Sequence, residues 1–162
     1  MNIQIINTQI KNLYMNDAIY FLSKADQYYE FSNFHTAPIE IDGKIWYSTE
    51  AYFQAMKFPD NPNYQEIIRR EKDTKIVKKL GSTINIKLRD DWENVKDQIM
   101  ERAIDAKFTQ HNNLKNLLLS TNNRLLIENN KNDNYWAIGN GNGLNKLGIM
   151  LCNLRERLKN EI

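Results

Sequence analysis

Glu50, Gln54 and Lys57 bring a carboxylate, an amide and an amine into one short stretch that runs from Trp46 to Phe58. Gln54 follows Glu50 by one helical turn and Lys57 by about two, so on a helix the three share a face. Ala51, Tyr52, Ala55 and Phe58 cover much of the remaining surface. Three polar groups in a row, hemmed by aromatic side chains, suit a polar pocket with apolar walls. The same spacing also describes a capped surface helix whose Glu and Lys are merely solvated, and on spacing alone that is the commoner case.

The elements that must hold these residues are legible on either side. Ser48 or Thr49 can cap the helix by accepting a bond from an early backbone N–H. Glu50 then falls in the first turn, where the helix dipole favours a carboxylate. Ahead of the cap, Ile39-Glu40-Ile41 and Lys44-Ile45-Trp46 flank Asp42-Gly43, a strong hairpin signal. Downstream, Pro59 stops the helix. Short helices are expected over Tyr64 to Arg70 and Thr74 to Leu80, the second ended by Gly81.

The longest helical pattern runs over 91–110, with Trp92, Val95, Ile99, Ala103 and Ala106 as an apolar stripe. Asp90 and Glu93 stand three apart, a carboxylate variant of the capping box. Periodicity places Trp92 in the core, although its first-turn position also lets it face a site. A strand is expected over Ala18 to Leu22, a helix over Leu114 to Leu119, and a short strand or extended run over Arg124 to Glu128. The last helix is expected from about Leu144 to Leu158, with Leu147, Leu151, Leu154 and Leu158 inward. These pieces describe an α+β fold, mainly α-helical, in a single compact domain with a small β-sheet or hairpin. Residues 1–17, Asn-rich and weakly patterned, read as an N-terminal extension, and 18–162 as the domain.

Three further stretches leave two readings open. Tyr28 to His35 is dense in aromatics, either a loop packing its own rings or a wall that grips a ligand. The basic segment 69–79 reads first as a solvated helical face and second as a phosphate-binding patch. Gly139-Asn140-Gly141-Asn142-Gly143, ahead of the last helix, could leave backbone N–H groups free to hold an anion, or could be an ordinary turn. Its spacing is not a dinucleotide fingerprint.

Composition narrows the classes. The chain has 162 residues, 41% hydrophobic and 26% charged, as in an ordinary soluble globular protein. A net charge of +2 does not by itself call for a nucleic-acid or membrane partner. Cys152 is the only cysteine and reads as a packed thiol, so no internal disulfide forms. His35 and His111 stand far apart, and no metal-ligand spacing is visible. No apolar run approaches the ~18 residues of a membrane span. The start, Met1-Asn2-Ile3-Gln4-Ile5-Ile6, is unlike a signal peptide, so a cytoplasmic location is expected.

Several stretches together resemble the NADAR family, also called YbiA-like. They are Glu30-Phe31-Ser32-Asn33-Phe34, Ile41-Asp42-Gly43-Lys44, Thr49 to Phe58, Asp91-Trp92-Glu93-Asn94-Val95-Lys96 and Ala106-Lys107-Phe108. Asp133-Asn134-Tyr135-Trp136, Gly143 to Gly148 and Arg155 follow, so the matches keep one order over roughly 18–158. The resemblance implies a mostly helical fold with a small sheet. It implies N-glycosidase activity on ribosyl or ADP-ribosyl adducts of amino-bearing bases, with no cofactor. The implied catalytic set is Glu50, Asp133 and Lys57. The resemblance also implies Trp92 as a pocket wall; with the residues read above, the candidate substrate-binding set is Trp92, Phe34, Asn33, Gln54, Trp136, Gly139, Gly141, Gly143 and Asn145, and no metal is expected.

Two positions depart from the family pattern. Ala137 stands where glycine is usual, and Ser82 where arginine is frequent, which takes away a potential phosphate ligand.

Cleaving a C1′–N bond builds an oxocarbenium-like sugar, and two carboxylates can divide the proton transfer and the delivery of water. Lys57 could instead attack the opened sugar as a Schiff-base amine if burial lowers its pKa. The expected partner is a small nucleotide-like molecule, either a ribosylamino-pyrimidine phosphate of riboflavin synthesis or ADP-ribosylated guanine, the latter free or in nucleic acid. No membrane partner is expected. The alternative is a non-catalytic module that binds ADP-ribose or a nucleotide.

Overall fold

Short segments and strong turn signals leave room for little sheet, and the computed structural model, which describes residues 17–161, holds two separate two-stranded sheets among six helices. The expected extension over 1–17 lies, apart from Asp17, outside the described residues. Residues 33–115 form one unit, and the described parts of 1–32 and 116–162 form another.

In the 33–115 unit, β2 (Ile39–Ile41) and β3 (Lys44–Trp46) form the expected antiparallel hairpin, with Ile39 opposite Trp46 and Ile41 opposite Lys44. Asp42 and Gly43 both have positive φ, 54° and 70°, as a tight two-residue hairpin turn demands. The exposed edge of β2 is closed by the Gln110 side-chain amide. Its Oε1 accepts from the Glu40 N–H and its Nε2 donates to the Glu40 carbonyl, each at 2.8 Å.

Helix α1 (Thr49–Ala55) is buried along its whole length. Its cap is Ser48, whose hydroxyl accepts from the Ala51 N–H at 3.1 Å. Thr49 is used differently, and its hydroxyl donates to the backbone and side-chain oxygens of Asn33. The helix ends at Ala55, well short of Pro59, as the Lys57 N–H turns to the Gln54 carbonyl and the Phe58 N–H to that of Ala55. Lys57 therefore sits on a tightened final turn beyond the α-helix proper.

Around α1 pack α2 (Pro62–Arg70), α3 (Thr74–Gly81) and α4 (Trp92–Gln110). Their shared core is Ile39, Ile41, Trp46, Ala51, Tyr52, Ala55, Phe58, Ile68, Val77, Ala103 and Ala106. Each large apolar side chain buried there contributes about 1.5–3 kcal/mol. Trp46 meets Tyr52 edge-on at 5.3 Å, and Phe58 meets Tyr64 at 5.2 Å.

Two end signals act differently from expectation. Asp91 rather than Asp90 occupies the position before α4, and neither carboxylate caps it. Asp91 is taken by Arg89 at 2.6 Å and Asp90 by Lys87 at 2.9 Å. Gly81 is the last residue of α3, not a left-handed cap beyond it.

In the other unit, β1 (Ile19–Phe21) pairs in parallel with β4 (Leu126–Glu128), Ile19 against Leu126 and Phe21 against Glu128. Helix α6 (Lys146–Asn160) lies against β4 so closely that a Cβ on Gly148 would stand 2.0 Å from the Leu126 carbonyl oxygen. Leu147, Leu151, Leu154 and Leu158 are buried, as their spacing requires. The guanidinium of Arg155, also buried, donates to the Thr121 hydroxyl at 2.7 Å and the Arg124 carbonyl at 2.8 Å. The division between units falls within α5 (Asn112–Ser120). Cys152 on α6 is a partly buried free thiol. No helix among the described residues is long and apolar enough to cross a membrane.

Candidate active site

Helix α1 puts Glu50 and Gln54 one turn apart and buries both, with 6% and 5% of their surface exposed. Burying a carboxylate is costly unless it is hydrogen-bonded. Gln54 supplies such a bond: its Nε2 donates to Glu50 Oε1 at 2.8 Å. A donor aimed at the carboxylate is what fixes the orientation of the Gln54 amide. The Gln54 oxygen then points the other way and, among the described residues, has no hydrogen-bond partner. An unsatisfied buried acceptor costs about 1–3 kcal/mol, so this amide is held at some expense.

Lys57 completes the group from the turn beyond α1. Its ammonium donates to the Gly81 carbonyl at 3.1 Å, at the end of α3 where the helix dipole favours a cation. It also lies 5.8 Å from the centre of the Phe53 ring and 5.5 Å from that of Trp92, which are 4.9 Å from each other. The pKa of Lys57 is pushed below the ordinary lysine range, chiefly by burial. The charge of Glu50 pulls it back up, and the charge of Lys78 pushes it further down.

Two predicted binding residues approach through their backbones. The Glu50 N–H and the Thr49 hydroxyl both donate to the Asn33 carbonyl. The Asn33 side chain is turned inward, its oxygen accepting from Thr49 at 3.0 Å and its Nδ2 lying 3.2 Å from Met100 Sδ. Asn33 therefore holds the start of α1 in place. The Phe34 carbonyl accepts from Thr74, and its ring is covered by the Lys78 ammonium at 5.7 Å. Much of the basic segment is engaged in similar local work. Arg69 and Arg70 both bind Glu66, Lys72 covers Tyr47 and Asp73 caps α3. Ser82, at the departure from the family pattern, donates its hydroxyl to the Lys78 carbonyl.

Glu50, Gln54, Lys57, Trp92, Asn33 and Phe34 thus belong to the 33–115 unit. Asp133, Trp136, Gly139, Gly141, Gly143 and Asn145 belong to the other, and there their surroundings are as follows. Asp133 Oδ1 accepts from the N–H groups of Tyr135 and Trp136, at 2.9 and 2.7 Å, and so shapes its own turn. The Trp136 ring meets Tyr135 edge-on at 5.0 Å. Asn145 spends its amide on β4, accepting from the Glu128 N–H and donating to the Leu126 carbonyl.

Of the two readings of the glycine loop, its hydrogen bonds fit the turn: the N–H groups of Gly141 and Gly143 both donate to the Ile138 carbonyl. The N–H groups of Leu144, Asn145, Lys146 and Leu147 go to the carbonyls of Asn134, Ala137, Tyr135 and Trp136. The loop folds back on the 134–138 segment and spends these six donors there. This also delays the last helix to Lys146, after Asn145 in the left-handed region at φ 49°. Ala137 sits in this fold-back fully buried.

Phe53 and Gly81 are site residues that sequence reasoning passed over. For Phe53 the signal existed, since it precedes Lys57 by one turn. For Gly81 there was none, because its contribution is a backbone carbonyl and an absent side chain. Among the described residues no group of three or more His, Cys, Asp or Glu side chains could hold a metal ion.

The NADAR domain family model matches residues 20–159. The chain is 44% identical to N-glycosidase YbiA of Shigella boydii over 93% of its own length and 94% of the relative's. It is 31% identical to a riboflavin biosynthesis protein of Vibrio vulnificus, again over 93% of this chain but 41% of that longer protein. The NMR structure of the Escherichia coli protein YbiA superposes with a TM-score of 0.82 at 46% identity, covering 90% of this chain and 87% of that one.

Proposed function

The chain belongs to the NADAR family and is an N-glycosidase, and from that premise we propose that it hydrolyses the C1′–N bond of ribosyl or ADP-ribosyl adducts of amino-bearing bases, with Glu50 as its central acid–base group. The observation that carries this reading is the buried Glu50 carboxylate, bonded to Gln54 at 2.8 Å, with the Lys57 ammonium within electrostatic reach. Desolvation strengthens each electrostatic interaction a reacting group makes there.

In the direct route, the C1′–N bond breaks with its electron pair leaving on nitrogen, and water adds its oxygen to C1′. Glu50 takes the proton that water releases and passes a proton to the departing nitrogen, so the carboxylate is restored. Lys57 then stabilises charge, including phosphate charge on the substrate. In the covalent route, the neutral amine of Lys57 attacks C1′ of the opened sugar, displaces the base, and is later released by water as the imine hydrolyses. The lowered pKa of Lys57 supports this second route, because it raises the fraction of neutral amine at neutral pH.

Trp92 and Phe34 serve the planar base as stacking surfaces, each stack adding about 1–3 kcal/mol. Asp133 enters as a second acid through the family resemblance alone. Asp133→Asn tests it cleanly, since an amide oxygen can keep both backbone bonds while the charge is lost.

Two substrates fit the chemistry. One is a ribosylamino-pyrimidine phosphate, which the riboflavin name of the Vibrio relative supports. The other is ADP-ribosylated guanine, free or in nucleic acid. Incubating the protein with each, and following released base, ribose 5-phosphate or ADP-ribose by mass spectrometry, decides between them. Tight binding of ADP-ribose with no bond cleavage in either would favour a non-catalytic binding module.

A further inference from the structure

Gln54 and Lys57, the two side chains that face the Glu50 charge from the end of α1, converge on one residue of α3. The Lys57 ammonium is bonded to the Gly81 carbonyl at 3.1 Å. The Gln54 side chain occupies the space a side chain at Gly81 would need: a Cβ built there would stand 1.8 Å from Gln54 Oε1 and 2.5 Å from its Cδ. Even the Gln54 Cβ would be only 2.7 Å away, so a rotation of the amide tip does not make room. Gly81 has no left-handed φ to account for glycine, and it is buried. Within a helix, glycine is unfavourable relative to alanine, so its presence calls for another reason. The preceding carbonyl, of Leu80, accepts from the Tyr64 hydroxyl at 2.9 Å, which ties this end of α3 to α2 and limits its retreat.

We propose that Gly81 is a positioning residue for the reaction: its missing side chain lets the Gln54 amide reach Glu50, and its carbonyl holds the Lys57 ammonium beside the same carboxylate. The inference rests on Glu50 and Lys57 being the reacting groups. It goes beyond that reading by placing the control of both in the last turn of α3. Gln54 accordingly acts as the arm between Gly81 and Glu50, and its Nε2 serves the carboxylate rather than the substrate.

The test is Gly81→Ala, alone and together with Gln54→Ala, which removes the Oε1 and Cδ that the new methyl would meet and leaves only the 2.7 Å approach to the Cβ of residue 54 to relax. Its first readout needs no substrate. The Gln54 side-chain amide protons, assigned in the nitrogen–proton NMR spectrum by their loss in Gln54→Ala, should be protected from exchange in the unaltered protein, since Nε2 is buried and bonded to Glu50. They should shift and lose protection in Gly81→Ala. In turnover, Gly81→Ala should lower kcat by about 10- to 100-fold with KM nearly unchanged, as for loss of a hydrogen bond to a charged group. In the Gln54→Ala background the same substitution should cost less than about twofold, because residues that act through one another are not additive.

Unchanged Gln54 amide signals in Gly81→Ala would overturn the proposal, as would an equal loss of kcat with and without Gln54. If Gly81→Ala does not fold, combining it with Gln54→Gly, which removes the last close atom as well, should restore folding, and failure there would equally overturn the proposal. Glu50→Gln separates the two levels. If that variant turns over normally, the site reading fails, while the NMR result still reports on the Gly81–Gln54 contact.

Discussion

The stretch Glu50 to Lys57 and the loop Gly139 to Lys146 both looked like places to hold a polar ligand, and they use their polar groups in opposite ways. In the first, the backbone is satisfied by the helix, and the side chains are left to act: Gln54 bonds Glu50 at 2.8 Å, and Lys57, held on the Gly81 carbonyl, feels the Glu50 charge. In the second, the N–H groups of Gly141, Gly143 and Leu144 to Leu147 close on the carbonyls of 134–138, and the Asn145 side chain is spent on β4. A helix removes its backbone from competition and leaves side chains for chemistry. An irregular loop must find partners for its own N–H groups before it can serve anything else.

The sharpest way to break this contrast is Glu50→Gln. The amide keeps the oxygen that accepts from Gln54, so the fold should persist with little change in Tm. Base release should fall by about 10²–10⁴-fold, the usual worth of general acid–base catalysis. Turnover at the unaltered rate would take Glu50 out of the mechanism.

Lys57→Ala should lower kcat by about 10²-fold or more if the amine is the nucleophile. Borohydride should then trap a sugar–enzyme adduct in the unaltered protein and none in the variant. In that route only the neutral amine reacts, so kcat should rise with pH through a pKa below the ordinary lysine range. The linked stability has the same direction. A lysine whose folded pKa is depressed binds fewer protons folded than unfolded, so its unfavourable contribution fades as pH rises through that window. A kcat independent of pH there, with no trapped adduct, would assign Lys57 to electrostatics.

On the loop side the expected effects concern stability. Asn145→Ala removes the amide that pairs with the Glu128 N–H and the Leu126 carbonyl and should cost about 1–3 kcal/mol in denaturant unfolding. Gly141→Ala meets no neighbour but has φ of 102°, where a side chain is strained, and should cost about 1 kcal/mol. The smallest effect is expected from inorganic phosphate. At millimolar concentration it should leave the Gly141 and Gly143 amide resonances unmoved, since both N–H groups already donate to Ile138. A phosphate-dependent shift there would restore the loop as an anion site.

What could be read in advance follows from how local each signal is. The hairpin at Asp42-Gly43, the Ser48 cap, the long helix over 92–110 and the leucine spacing of the last helix depend on residues a few positions apart, and they stand in the structure as read. The Glu50–Gln54 bond was likewise set by a one-turn spacing. The expected cap at Asp90 failed on a competing local partner, since Lys87 and Arg89 claim the two carboxylates.

The remainder could not be read, because it depends on groups without a sequence signature or on distant partners. The parallel pairing of 19–21 with 126–128 joins segments some hundred residues apart through backbone atoms that every residue carries. The placement of Lys57 on the Gly81 carbonyl and over Phe53 and Trp92 required α1, α3 and α4 to be packed together. Sequence alone thus determined which side chains were available and which stretches coil or turn, because those are short-range matters of sterics and hydrogen-bond spacing. The tertiary structure decided which donors were already used, which glycine had to stay bare, and how far burial shifts the Lys57 ammonium, because each depends on what packs against it from elsewhere in the chain.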